Sequence, residues 1–124
     1  MISAMKGHQG ALGEIQNASD VFITPNQRSE FLNVIDHQGD RLRFLKANNI
    51  QTITGTQARN WASTPEFQQA FKAVAGAQGR GDAALVAFAK ASGMPAVTME
   101  RRLYNYATIN AKIPGGVPIR RVML

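Results

Sequence analysis

The chain contains no cysteine and few histidines. The absence of cysteine among its 124 residues excludes disulfides and thiolate metal sites, and it leaves the redox compartment open. The two histidines, His8 and His37, cannot by themselves build a histidine-rich zinc site. No apolar run approaches the length of a membrane span, and residues 1–13 lack the continuous apolar stretch of a signal peptide. We therefore expect no membrane partner.

Acidic residues are scarce as well. There are 8 of them against 14 basic residues, which gives a formal net charge of +6, and the sequence pI is about 10.3. Arginine outnumbers lysine, and its guanidinium suits bidentate contact with phosphate. The balance favours an anionic partner, with nucleic acid first. Solubility or a basic interaction surface is the plainer alternative.

Short strand-like runs alternate with helical patterns along the chain. Residues 21–24, 96–99 and 118–124 are predicted strands, while residues 82–92 form a nearly all-apolar and therefore buried helix. The alternation predicts an α/β fold with a small, mostly parallel sheet. The length and the 44% of hydrophobic residues predict a single domain over residues 1–124.

Local signals predict where several helices begin and which residues they bury. Thr24 caps a helix that continues to Asp36, with its apolar side chains inward, and Ser63 caps another in a capping box. Residues 76–81 form a glycine-rich hinge, and Gly93 ends the buried helix. The apolar residues predicted to face the core in the first half of the chain are Phe31, Leu32, Ile35, Leu42 and Leu45.

Three acids lie at or after predicted strand ends, where functional residues of parallel sheets collect. Glu30 follows the first strand by about two helical turns, Asp82 opens the buried helix, and Glu100 follows the strand at 96–99. Converging carboxylates suit Mg²⁺ or Mn²⁺, which prefer hard oxygen ligands. Each acid also has a plainer interpretation: Asp82 as a helix cap, Glu30 as a solvated residue, and Glu100 as a member of a surface ion pair.

Longer strings resemble the segments of PIN-domain nucleases. VFITPNQRSEFL is similar to the family's strand that ends in Thr and precedes a helix carrying Glu. GDAALVAFAKASGMPAVTMERRL resembles its acid-opened helix and following strand, and residues 98–100 (Thr-Met-Glu) stand where the family has Thr-x-Asp. PIRRVML resembles the closing strand. The order and spacing of the motifs, over most of the chain, carry the resemblance.

The resemblance implies a three-layer α/β/α sandwich and a Mg²⁺- or Mn²⁺-dependent endoribonuclease. Glu30, Asp82 and Glu100 would be the metal ligands, and Thr98 would orient a water or a phosphate. The similarity is closest to PIN-like domains at the C-termini of polymorphic bacterial toxins of the Rhs and contact-dependent type. That subgroup implies action in the cytoplasm, delivery within a larger secreted protein, and an acidic cognate immunity protein.

The start of the chain departs from the family pattern. PIN domains open with a strand that ends in Asp, whereas residues 2–5 resemble the segment directly after that Asp. The resemblance therefore implies that the first strand and first ligand lie upstream of Met1. We expect a chain without them to cleave poorly, and its unpaired sheet edge to favour a homodimer. Asp20 is the only other acid near that strand, and its position favours a cap.

Three arginines are predicted to bind RNA, with tRNA as one candidate. Arg80 lies in a glycine-flanked turn beside Asp82, and Arg101 and Arg102 follow Glu100. The alternative function is a non-catalytic module that binds nucleic acid or protein, in which the acids serve as caps. It predicts RNA binding that is indifferent to Mg²⁺ and to Asp82→Asn. A DNA-directed nuclease is a third possibility, because carboxylates alone do not choose the sugar.

Overall fold

A computed structural model describes residues 1–122 and shows a mixed α/β chain with two small parallel sheets. Two compact units are present: the first is Met1–Thr54, and the second holds the described residues from Gly55 onward. Met123 and Leu124, predicted to close the last strand, lie outside the described residues. The elements are α1 (Ile2–Met5), α2 (Gln9–Asn17), β1 (Val21–Ile23), α3 (Pro25–Leu32), a 3₁₀ turn (Ile35–His37), α4 (Gln38–Ala47), β2 (Ile50–Thr52), α5 (Gly55–Ala62), α6 (Pro65–Gln78), α7 (Arg80–Ser92), β3 (Ala96–Thr98), α8 (Arg101–Asn105), a π-helix (Tyr106–Asn110) and β4 (Ile119–Arg121).

The first unit is a β–α–β arrangement with the predicted capping signal. Strands β1 and β2 pair in parallel, with Val21 beside Ile50. The Thr24 hydroxyl accepts the backbone N–H of Gln27 at 3.1 Å, and the Gln27 side chain accepts the N–H of Thr24 at 2.9 Å. This reciprocal capping box, with Pro25 at the first helical position, fixes the start of α3 directly after β1.

The burial pattern of this unit differs from the sequence prediction at two positions. Helix α3 ends at Leu32 rather than Asp36, and Ile35 is 90% exposed in the 3₁₀ turn that follows. Helix α4 turns Arg41 inward, and Leu42 is exposed. The reason lies in the partner of Arg41: its Nη1 donates to the Phe31 carbonyl at 2.7 Å, near the end of α3. A tertiary hydrogen bond therefore sets the face that α4 buries.

The second unit packs a helical hairpin with a second parallel pair of strands. Strands β3 and β4 pair with Ala96 beside Ile119 and Thr98 beside Arg121. Helices α6 and α7 form the hairpin, and their apolar faces supply most of the core. The apolar spacing of α7 explains this burial, since its small and branched residues allow close approach on more than one side. The fully buried side chains of the hairpin include Ala70, Val74, Ala83, Val86 and Ala87.

The ends of α6 and α7 correct three local predictions. Thr64, not Ser63, caps α6, because its hydroxyl accepts the N–H of Phe67 at 3.2 Å. The predicted hinge over residues 76–81 reduces to one residue, Gly79, whose φ of 89° and ψ of 166° interrupt the helix. Asp82 is therefore not a cap; it lies in the first turn of α7. Gly93 ends α7 in the left-handed conformation, as predicted.

Within residues 1–122, no helix combines the length and apolar character needed to cross a membrane. The predicted α/β class with parallel strands is confirmed. The prediction of one small sheet is wrong for the described chain, because β1 pairs only with β2 and β3 only with β4, which gives two sheets of two strands each. In each sheet the two strands are connected along the chain by helices, as parallel pairing requires. The carboxyl end of the β3–β4 sheet is where the predicted acid Glu100 is found.

Candidate functional site

The structure brings Asp82 and Glu100 to one cleft of the second unit. Asp82 comes from the first turn of α7, and Glu100 from the junction between β3 and α8. The cleft has a volume of about 400 Å³ and is open to solvent. Two acids that are remote in sequence therefore share one cavity. Its lining residues are Ala77, Gln78, Asp82, Glu100, Arg101 and Arg102.

Glu100 is positioned through its backbone. The Thr98 hydroxyl, at the end of β3, accepts the backbone N–H of Glu100 at 3.0 Å, and the Glu100 carbonyl accepts the N–H of Tyr104 at 3.1 Å to begin α8. Thr98 is buried, and the Glu100 side chain is exposed, with no hydrogen bond or ion pair inside residues 1–122. The backbone is thus fixed on both sides, while the carboxylate stays available to a ligand.

Thr98 was predicted to orient a water or a phosphate. Its observed partner is the Glu100 N–H, so the structure supports a positioning role for the hydroxyl. The pairing of β3 with β4 places Thr98 beside Arg121, and the N–H of Val122 donates to the Thr98 carbonyl at 2.9 Å. The strand end that carries Glu100 is therefore held by the neighbouring strand as well as by the hydroxyl.

Asp82 is half-buried in the first turn of α7. A carboxylate at this position is stabilised by the partial positive charge of the helix N-terminus. Gly79 sets the direction in which α7 starts, and Gln78, the last residue of α6, also lines the cleft. The single-residue joint between the helices therefore holds Asp82 beside the end of α6.

The charges around the cleft are balanced between acids and arginines. Arg101 and Arg102 are exposed in the first turn of α8 and have no hydrogen bond or ion pair within the described part of the chain. Together with Asp82 and Glu100 they line one cavity, so two arginines and two acids share its wall. Such a site offers oxygen ligands to a cation and planar donors to a phosphate.

The donor set fits Mg²⁺ or Mn²⁺. Magnesium is typically held by one or two carboxylates, with waters and substrate phosphate oxygens as its other ligands. Asp82 and Glu100 are two carboxylates of this kind in the lining of one cleft. No group of three or more His, Cys, Asp or Glu side chains placed to hold a metal ion is found within residues 1–122.

Glu30 belongs to the first unit. It is exposed on α3 and accepts a hydrogen bond from the Asn26 side chain, one turn earlier, at 3.4 Å. This contact fits the solvated helix residue that the sequence offered as the plainer interpretation. The role of Glu30 as a metal ligand stays a prediction.

Arg80 is not among the residues that line the cleft. Its Cζ lies 5.8 Å from the centre of the Phe71 ring. Residues 80 and 82 are about 200° apart around a helix, so the first turn of α7 directs them to different sides. The helical repeat in the sequence could therefore have shown that Arg80 does not share a side of α7 with Asp82. The sequence gives no indication that Gln78 lines the cleft, because its position there depends on how α6 and α7 pack.

Comparison with known proteins finds no match to a protein family, to a curated protein or to a solved structure. The resemblance to PIN-domain nucleases therefore depends on the sequence motifs alone. A functional proposal for the chain depends on the chemistry that the cleft offers.

Proposed function

We propose that the chain is a metal-dependent endoribonuclease whose catalytic centre is the cleft that contains Asp82 and Glu100. The observation that carries the proposal is one cleft lined by two acids, from the first turn of α7 and from the junction between β3 and α8, and by two arginines without a hydrogen bond or ion pair in the described part of the chain. The excess of basic over acidic residues, 14 against 8, supports an anionic substrate. RNA is the polymer that the motif resemblance favours.

Asp82 and Glu100 would hold Mg²⁺ or Mn²⁺. When bound, such an ion lowers the pKa of a bound water and neutralises charge on the phosphate. Arg101 and Arg102 bind phosphate oxygens through their guanidinium donors and orient the scissile phosphodiester toward the acids. Hydrolysis forms one P–O bond to water and breaks one P–O bond to the leaving ribose oxygen. Thr98 acts through Glu100, whose backbone it holds.

The PIN-like sandwich and the toxin assignment are part of the same proposal. Parallel strand pairs joined by helices, and an acid two residues after the end of β3, support them. In this proposal the module acts on RNA in the cytoplasm of a target cell, and an acidic immunity protein binds the arginines of the cleft.

Cleavage of a mixed tRNA pool tests the proposal. The wild-type chain is expected to cut in Mn²⁺ and to stop in EDTA, and Asp82→Asn and Glu100→Gln are expected to lower the rate roughly 100-fold, as a misplaced ion does. Asp36→Asn and Glu66→Gln are the matched controls, because they make the same changes at exposed acids that do not line the cleft. Cutting that persists in EDTA, or equal rates in all variants, refutes the proposal, and a DNA pool decides the sugar preference.

A non-catalytic nucleic-acid-binding module is the second candidate. The free guanidinium groups of Arg101 and Arg102 favour it, since phosphate binding needs no metal. It predicts RNA affinity that is unchanged by Mn²⁺ and by Asp82→Asn, with no cleavage under any condition. The same set of variants therefore separates the two functions.

A further inference from the structure

Arg80 lies against a row of aromatic rings in the second unit. The aromatic row consists of Phe71, Phe67, Phe88 and Trp61, with successive ring centres 6.0, 4.9 and 6.3 Å apart. The Arg80 guanidinium ends the row at Phe71. Its side chain is exposed, and the Phe71 ring is its only partner within residues 1–122. All five guanidinium donors therefore remain available.

Phe71 differs from Phe67, its neighbour in the row. It is half-buried, whereas Phe67 is 8% exposed within the core. At 5.8 Å the Arg80–Phe71 contact lies near the outer limit of about 6 Å for a cation–π pair. An exposed guanidinium held this loosely can shift at little cost. The surface thus offers an exposed planar cation that lies over an aromatic ring.

Unpaired nucleobases stack on such planes. Single-stranded RNA is recognised through bases that lie on aromatic rings or arginine guanidinium groups, and stacking tolerates any base. We propose that Arg80 and Phe71 form a stacking site for a base of single-stranded nucleic acid. The proposal rests on the proposed function in that RNA is the ligand.

The test compares the binding of two labelled chains with equal numbers of phosphates, an oligoadenylate and an abasic chain of the same length. Fluorescence anisotropy in EDTA removes any contribution from cleavage. The wild type is expected to bind the oligoadenylate roughly tenfold more tightly, the effect of stacking one base. Arg80→Lys keeps the charge and loses the plane, so we expect it to lose this preference. Arg28→Lys makes the same change in the first unit and is expected to keep it.

Variants of Phe71 give an independent measurement. Phe71→Leu is expected to lose the preference for the base-bearing chain, and Phe71→Tyr, which retains a ring, to keep it. Because Phe71 packs on the core, thermal unfolding followed by Trp61 emission checks that each variant is folded. Equal binding of the two chains by the wild type overturns the stacking site, as does an Arg80→Lys variant that retains the full preference.

The Asp82→Asn variant separates this inference from the nuclease. In EDTA it is expected to keep the preference for bases, although its rate of cleavage in Mn²⁺ is expected to fall roughly 100-fold. A wild type that prefers bases and never cleaves supports the stacking site and refutes the nuclease. Loss of the preference in Asp82→Asn would place base binding in the cleft and overturn the proposal.

Discussion

Two glycines near the α6–α7 joint are predicted to respond to alanine with opposite signs. Gly79 has a φ of 89°, and Gly76 lies within α6 at ordinary helical angles; a Cβ added at either position would meet nothing within 4 Å. The outcome therefore depends on the backbone alone. Gly79→Ala forces a side chain into a region reserved for glycine, which costs about 1–3 kcal/mol. Gly76→Ala improves helix propensity by about 0.5 kcal/mol.

Thermal unfolding followed by Trp61 emission measures both changes, since Trp61 lies in the same unit. At roughly 4 °C per kcal/mol, the midpoint is expected to fall by about 4–12 °C in Gly79→Ala and to rise by about 2 °C in Gly76→Ala. A hinge spread over residues 76–81, as the composition alone predicts, would make both substitutions similar. Equal midpoints, or a larger loss in Gly76→Ala, would refute the single-residue joint.

Three further predictions concern individual contacts. Thr98→Val removes the acceptor of the Glu100 N–H and is expected to lower the free energy of unfolding by about 1 kcal/mol, while Thr98→Ser keeps that hydrogen bond; denaturant titration distinguishes them. Arg41→Met leaves the Phe31 carbonyl without its partner and is expected to cost about 1–2 kcal/mol by the same titration, so an unchanged midpoint would contradict the buried contact. Arg101→Gln is expected to reduce the slope of log K for RNA against log salt by about 0.7, and an unchanged slope would exclude a phosphate contact.

Local signals predicted the parts of the fold that depend on neighbouring residues. The Thr24–Pro25 start of α3 and the Gly93 end of α7 follow from capping chemistry, which acts within one turn. The exposure of Leu42 and the burial of Arg41 could not be predicted in this way. They depend on the Phe31 carbonyl ten residues earlier, and helical periodicity carries no information about that partner.

The candidate site shows the same division. The rule that functional residues follow parallel strands pointed to Glu100, and Asp82, which the sequence also proposed, lines the same cleft. The position of Arg80 on a different side of α7 from Asp82 could have been predicted from the helical repeat. The pairing of β3 with β4 could not be predicted, because strand register depends on contacts across about twenty residues of intervening chain. The positioning role of Thr98 could not be predicted either, because it depends on the turn after β3, which brings the Glu100 N–H to the Thr98 hydroxyl.

Direct titration of Mn²⁺ tests the central claim, that Asp82 and Glu100 hold one ion together. Electron paramagnetic resonance of free Mn²⁺ gives the affinity of the wild type, Asp82→Asn, Glu100→Gln and the double variant without any dependence on catalysis. We expect each single substitution to weaken binding roughly tenfold or more, since even loss of a group that only orients a ligand costs 10- to 100-fold. The double variant is expected to be little worse than either single one, because the two act on the same ion. Affinity that is unchanged in both single variants would contradict the metal site.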